Sequence, residues 1–356
     1  MPAAERPRRY REAASSAVAD LNAGACAFVM GTGIVSTALN LNGARTASVA
    51  LLVVALAGFA VLLPAYGWRL LRRRQRFIAD FVGPRAFAFL TVAIASNVLA
   101  ARLVADGQTA AAWPFLALGT LGWLLLGYGI PLGLIANAKR EPSIDQANGT
   151  WFLWAVGSES VAVAAGALSR QTTGHLLPVL AWGCWGIGLM QYLLTAGIVL
   201  ARLLARPVAP EKLMTSVWIF MGAAAITVLA GARLLELPPD KLALSRSVVA
   251  GWSVVLWSFA SWLIPLLLAL GVWRHVLRRI PLRYDFSWWN LVFPVGMYGV
   301  ATHELGRTTA ASWLTTLGGW EIWVGAAVWL VVMAAMVAGA LRSYLTNRRG
   351  GASNRR

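Results

Sequence analysis

Apolar segments long enough to span a bilayer follow one another along nearly the whole chain, and neighbouring segments differ in kind. The odd-numbered segments carry the Gly, Ser, Thr, Asn, Glu and His, whereas the even-numbered ones are mostly Leu, Val, Ala and Trp. A helix crossing the hydrocarbon core needs about 20 mostly apolar residues. Ten stretches qualify: Ala23 to Leu41, Thr46 to Trp68, Pro84 to Val104, Ala110 to Ala136, Gly149 to Leu168, Leu176 to Leu200, Met214 to Leu234, Val248 to Trp273, Ser287 to Gly306 and Trp320 to Leu341. Lipid leaves only helices or closed barrels, and these runs are too long and too continuously apolar for barrel strands. Only 13% of the 356 residues are charged, against about 25% in soluble domains. The reading is an all-α integral membrane protein of ten transmembrane helices.

The odd spans begin near Ala23, Pro84, Gly149, Met214 and Ser287, a step of roughly 60–75 residues that suits a helical hairpin with its loops. Five hairpins, each leaving through a polar span and returning through an apolar one, predict a parallel repeat about an axis along the membrane normal. Many transporters are instead built from inverted repeats. A ten-helix domain over residues 23–341 is thus flanked by basic tails at 1–22 and 342–356, which can touch anionic headgroups.

The net charge of +17 does not point to nucleic acid, because the arginines sit in short clusters between apolar runs. Of 31 Lys and Arg residues, 24 fall on one side of the predicted membrane and seven on the other. That bias places both termini in the cytoplasm of a multi-pass plasma-membrane protein. Trp68, Trp113, Trp151, Trp273, Trp288, Trp289, Trp313 and Trp320 lie near span ends, as an interfacial belt requires. Cys26 and Cys184 form neither a metal motif nor a disulfide framework, and no cofactor or metal is expected. The N-terminal segment lacks a cleavable signal pattern.

Chemistry is expected on the odd spans. In span 1, FVMGTGIVSTALN, residues Gly31, Thr32, Gly33 and Ser36 read either as a pore-facing strip or as close helix packing through small residues. Span 3 holds Ser96 and Asn97 in mid-membrane. Span 5 holds Ser158, Glu159 and Ser160, with Glu159 about 15 Å from the helix start and so near the midplane. A carboxylate there costs several kcal/mol unless neutral, paired or hydrated, which makes it a functional candidate. In span 9, WWNLVFPVGMYGVATHELGR, Pro294 removes a helix hydrogen bond and is expected to kink the helix, and freed backbone is tolerated where it lines a cavity. Phe293 beside it reads either as a plug that closes a narrow pore by excluding water or as a lipid- or core-facing packing residue. His303 and Glu304 lie near the outer end of that span, and Glu304 is spaced to pair with Arg307. Arg45, Arg102, Arg170, Arg233 and Arg307 each sit at or just past the outer end of an odd span. They read as a positive outer vestibule that concentrates anions, or as interfacial anchors.

These residues resemble the tellurite-resistance/dicarboxylate transporter family, which includes the slow anion channels of plant guard cells. The matching pieces are FVMGTGIVSTALN, NGTWFLWAVGSESVAV and FPVGMYGVATHELG. The resemblance implies five hairpins with odd helices around a central pore and even helices outside. It also implies a homotrimer with one pore per subunit, and a pore-blocking phenylalanine that falls on Phe293. Relatives move small anions: malate and other C4-dicarboxylates, sulfite, chloride, nitrate or tellurite-linked solutes. Where the family pattern has Gln, this chain has Glu159, which keeps a proton-coupled or cation-coupled carrier open as the alternative. A membrane-embedded enzyme would need a convergent catalytic set. The sequence has no HExxH and no nucleophile–base pair, and His175, His275 and His303 lie in different loops or span ends.

Overall fold

A computed structural model describes residues 21–136, 143–206, 208–212 and 215–353. Most of the N-terminal tail, Lys139 and Arg140, and the predicted span start at Met214 fall outside these residues. Among the described residues there are ten principal helices: α1 Ala27–Leu41, α2 Arg45–Arg72, α3 Thr91–Ala105, α4 Thr109–Ala136, α5 Leu153–Ser169, α6 Leu176–Ala205, α7 Ile219–Leu235, α8 Arg246–Val272, α9 Trp289–Thr308 and α10 Ser312–Ser353. No strand occurs among the described residues. Eight helical segments among the described residues are long and apolar enough to cross a membrane. The other two are α1, of 15 residues, and α9, whose 20 residues include Asn290, His303, Glu304 and Arg307. The last helix runs on past the expected end at Leu341.

The odd helices form a closed ring. Packed neighbours run α1–α3–α5–α7–α9 and back to α1. Each even helix leans on its own odd partner and on the next odd helix: α2 on α1 and α3, α4 on α3 and α5, α6 on α5 and α7, α8 on α7 and α9, α10 on α9 and α1. Burial follows the compositional alternation. In the segments containing α3, α5 and α7, 89%, 94% and 83% of the apolar window is buried, against 17–28% for the even helices. Leu, Val and Trp on the even helices therefore present the surface that lipid covers, and the polar atoms are enclosed.

Because the odd helices run in parallel, all five begin on one face, rich in Arg, and end on the opposite, distal face. Their starts repeat a local device. The side-chain oxygens of Asn22, Asn148 and Asp285 accept from the backbone N–H two residues on, at Gly24, Thr150 and Ser287. This satisfies donors that a helix start leaves orphaned. Short 3-10 turns at Ala86–Leu90, Gly149–Phe152, Thr215–Trp218 and Phe286–Trp288 then lead into α3, α5, α7 and α9.

Close approach depends on small residues. A β-carbon on Gly222 of α7 would lie 2.8 Å from the Pro294 ring of α9, and one on Gly33 of α1 would lie 2.8 Å from Val98 of α3. Both distances are shorter than real contacts allow, so these glycines set the ring's radius. The helix α9 is continuous across Pro294. The interfacial expectation for Trp289 is corrected. Trp289 is fully buried and packs edge-on against Phe28 with centroids 4.8 Å apart, because it lies at the start of a ring helix. Trp113, Trp313 and Trp320 are exposed.

Candidate functional site

Inside the ring, a cavity of about 300 Å³ opens toward the distal face. Its deepest level takes one residue from each odd helix: Ile34, Asn97, Ser160, Ile226 and Met297. These positions recur at the hairpin interval of roughly 60–75 residues. Asn97 Nδ2 donates to Ser160 Oγ at 3.0 Å, tying α3 to α5 across this level. Thr37, Ala101, Val163 and Leu229 form the wall above, and Arg170, Gln171, Arg233 and Glu236 surround the mouth. One helical turn deeper on the same five faces lie Met30, Ala93, Val156, Gly222 and Phe293, all buried. Phe293, fully buried, is the largest of them.

The expected site residues divide between the cavity and the packing around it. Asn97, Ser160, Arg170 and Arg233 line the cavity. Gly31 packs against Val292 and Trp289 of α9. Thr32 Oγ1 accepts from Trp329 Nε1 of α10 at 3.0 Å. Ser36 Oγ donates to the Ser48 carbonyl of α2 at 2.7 Å. Ser158 Oγ accepts from Trp123 Nε1 of α4 at 2.8 Å and bonds the Gln191 side chain of α6. Glu159 is fully buried and points at Gly188 of α6. Among the described residues neither of its carboxyl oxygens makes a well-formed hydrogen bond, and the nearest hydroxyl is that of Thr227 on α7. Three consecutive residues of α5 thus serve three surroundings, and Ser160 is the one that lines the cavity.

The five arginines also divide. Arg45 is exposed at the start of α2. Arg102 is fully buried. Its Nε donates to Ser36 Oγ at 3.0 Å and its Nη2 to Ser48 Oγ at 2.7 Å, while Asp106 stands 3.5 Å from Nη1. It clamps α3 to α1 and α2. Arg170, Arg233 and Arg307 instead converge. Glu236, which the sequence reading did not single out, accepts from Arg170 at 3.0 Å and from Arg233 at 3.1 Å, and pairs with Arg307. Glu304 accepts from Arg233 at 3.0 Å and Arg307 at 2.8 Å, with His303 Nδ1 3.5 Å away. Three guanidinium groups against two carboxylates leave the mouth positive. They sit where the odd helices end, so they also offset the partial negative charge of those ends. The signal for Glu236 was present in its spacing three residues after Arg233.

A closed ring of buried helices encloses a cavity with two polar residues on its floor and a positive mouth. Residues 20–337 match the SLAC1 family model, described as voltage-dependent anion channel, and the chain belongs to this family. It is 45% identical over 147 residues to an uncharacterized membrane protein of Mycobacterium tuberculosis strain H37Rv, covering 41% of this chain and 75% of that one. It is 24% identical to an uncharacterized transporter of Methanocaldococcus jannaschii, covering 86% of this chain and 90% of the relative. A second transporter of that organism is 24% identical, covering 77% of this chain and 80% of its own length. The chain is a multi-pass membrane protein of a transporter and anion-channel family.

Proposed function

We propose that small anions pass along the axis of the five-helix ring and that Phe293 closes the path below the cavity. The observation that carries this is the stacking of two levels. A cavity floored by Ile34, Asn97, Ser160, Ile226 and Met297 lies one turn above a level whose largest side chain is Phe293. Asn97 and Ser160 give a partly dehydrated anion hydrogen-bond partners on an otherwise apolar floor. The even helices keep lipid away from both levels. C4-dicarboxylates such as malate, sulfite, chloride, nitrate and tellurite-related solutes are the substrates to test. Both termini are read as cytoplasmic, which makes the distal face external, and the assembly as a homotrimer with one path in each subunit. Glu159 lies between Gly188 of α6 and Thr227 of α7 and outside the cavity lining, which favours an anion path over a carrier that binds its coupling ion at this residue.

Proteoliposomes loaded in turn with malate, sulfite, chloride and tellurite, with sodium and potassium as cation controls, test the reading. Flux of at least one anion above empty liposomes, with neither cation moving, is the expected result. Cation flux without anion flux would contradict it.

The mouth gives a second expectation. Arg170 and Arg307 are half-exposed, 52% and 45%. Replacing both by Gln removes two positive charges while Arg233 still pairs with Glu236 and Glu304. Charge screening extends over about 30 Å at 0.01 M salt but only about 8 Å at 0.15 M. Anion flux by the double variant should fall several-fold in the dilute buffer and change little in the concentrated one, as read by initial efflux rates. Equal losses in both would remove electrostatic attraction from the account.

A further inference from the structure

Among the described residues that line the distal cavity, Glu236 alone is acidic. Its side chain is 6% exposed and stands among three guanidinium groups. It accepts from Arg170 at 3.0 Å and from Arg233 at 3.1 Å, and it pairs with Arg307. Glu304 shares Arg233 and Arg307 but does not line the cavity. Nearby, Lys241 and Arg246 bond the carbonyls of Thr172 and Leu237, and Asp240 is exposed in the same loop. From the mouth down to the floor, every other lining side chain is apolar or neutral. An anion in the cavity therefore meets its charged partners at the mouth, and Glu236 sets how much of their positive charge is left uncompensated.

A fixed charge changes the local concentration of an ion exponentially with the ion's valence. The factor that applies to a monovalent anion applies squared to a divalent one. One unit charge about 7 Å away through water changes the monovalent concentration about threefold and the divalent one about ninefold. Glutamine in place of Glu236 keeps the shape and one acceptor oxygen for the arginines but removes the charge. Aspartate keeps the charge.

We propose that Glu236 sets the valence selectivity of the mouth: its carboxylate holds down the potential raised by Arg170, Arg233 and Arg307, and so limits the preference for divalent over monovalent anions. This rests on the anion path proposed above. Gln171, exposed and in the same lining, is replaced by Cys in full-length detergent-solubilised protein lacking Cys26 and Cys184. Its modification rates by a negatively and a positively charged methanethiosulfonate are compared at 0.01 M salt, a ratio that cancels changes in the thiol's own reactivity. Glu236→Gln should shift the ratio toward the anionic reagent by about ninefold, threefold for each sign of charge, and by less at 0.15 M salt. Glu236→Asp should leave it unchanged. In proteoliposomes, Glu236→Gln should raise sulfate efflux about three times more than nitrate efflux. An unshifted ratio of thiol rates, or an equal shift in Glu236→Asp, would overturn the proposal, as would a shifted ratio with sulfate and nitrate efflux changed by the same factor. A shifted ratio with no efflux of either anion from any variant would contradict the anion path and leave the potential at the mouth assigned to Glu236.

Discussion

Phe293→Ala is expected to raise anion flux through reconstituted protein by about tenfold or more, since lowering a barrier by ~1.4 kcal/mol already gives a factor of ten. Phe293 is fully buried on α9, one turn below Met297, which belongs to the cavity floor. Of its level, Ala93 and Gly222 are small, and Met30 and Val156 are the remaining side chains. An apolar constriction blocks ions by excluding water rather than by touching them. Removing the aromatic ring lets water enter from the cavity above. The same change bears on stability: a Phe→Ala void that stays dry typically costs 3–5 kcal/mol. A variant that conducts yet keeps much of its thermal stability would show that water had filled the space. Chloride or malate efflux alongside a melting curve reads both quantities. A stable, folded variant with wild-type flux would remove Phe293 as the barrier.

Arg102→Met should be among the most destabilising single changes in the protein. Arg102 holds Ser36 of α1 and Ser48 of α2 with two hydrogen bonds and pairs with Asp106. Methionine keeps much of the volume and none of the donors. Ser36 and Ser48 still bond each other's carbonyls, but Asp106, with its side chain 20% exposed, loses its cation. Breaking one side of a buried pair typically costs about 3–5 kcal/mol. Arg102→Lys should recover only part of this, because one ammonium cannot reproduce the guanidinium fork. Arg45→Met, exposed at the start of α2, should leave stability unchanged. The temperature at which half the detergent-solubilised protein remains monodisperse measures all three. Equal effects at Arg102 and Arg45 would refute the clamp.

The contrast between these two arginines shows what a sequence of this kind reveals and what it conceals. Inside and outside were legible because lipid and protein make different demands: Leu, Val and Trp tolerate hydrocarbon, whereas Asn97, Glu159 and Ser160 do not. The hairpin order followed from that difference and from the repeat interval. Facing was not legible. A surface helix shows which way it points through one apolar stripe, but the odd helices are buried on all sides. Successive residues on a helix are about 100° apart, since a turn takes 3.6 residues. Ser158, Glu159 and Ser160 therefore reach α4 and α6, α6 and Thr227 of α7, and the cavity, although they adjoin in sequence. The arginines share a position relative to their spans, but only the fold brings three of them to Glu236 and Glu304 while Arg102 turns into the protein. Ile34, Ile226 and Met297 were overlooked because they are apolar; what marks them is their common register with Asn97 and Ser160.

The central claim is that anions travel inside the ring and not along its outer surface or between subunits. Single cysteines in a Phe293→Ala background lacking Cys26 and Cys184 test it most directly. Ser160→Cys lies on the cavity floor, and Trp262→Cys lies on the lipid-facing side of α8, where Trp262 is 65% exposed. Anion efflux is recorded before and after a negatively charged, membrane-impermeant thiol reagent is added. Loss of flux at Ser160→Cys with none at Trp262→Cys is the predicted result. Flux that survives modification at Ser160→Cys, verified by mass, or that is lost equally at Trp262→Cys, would contradict it.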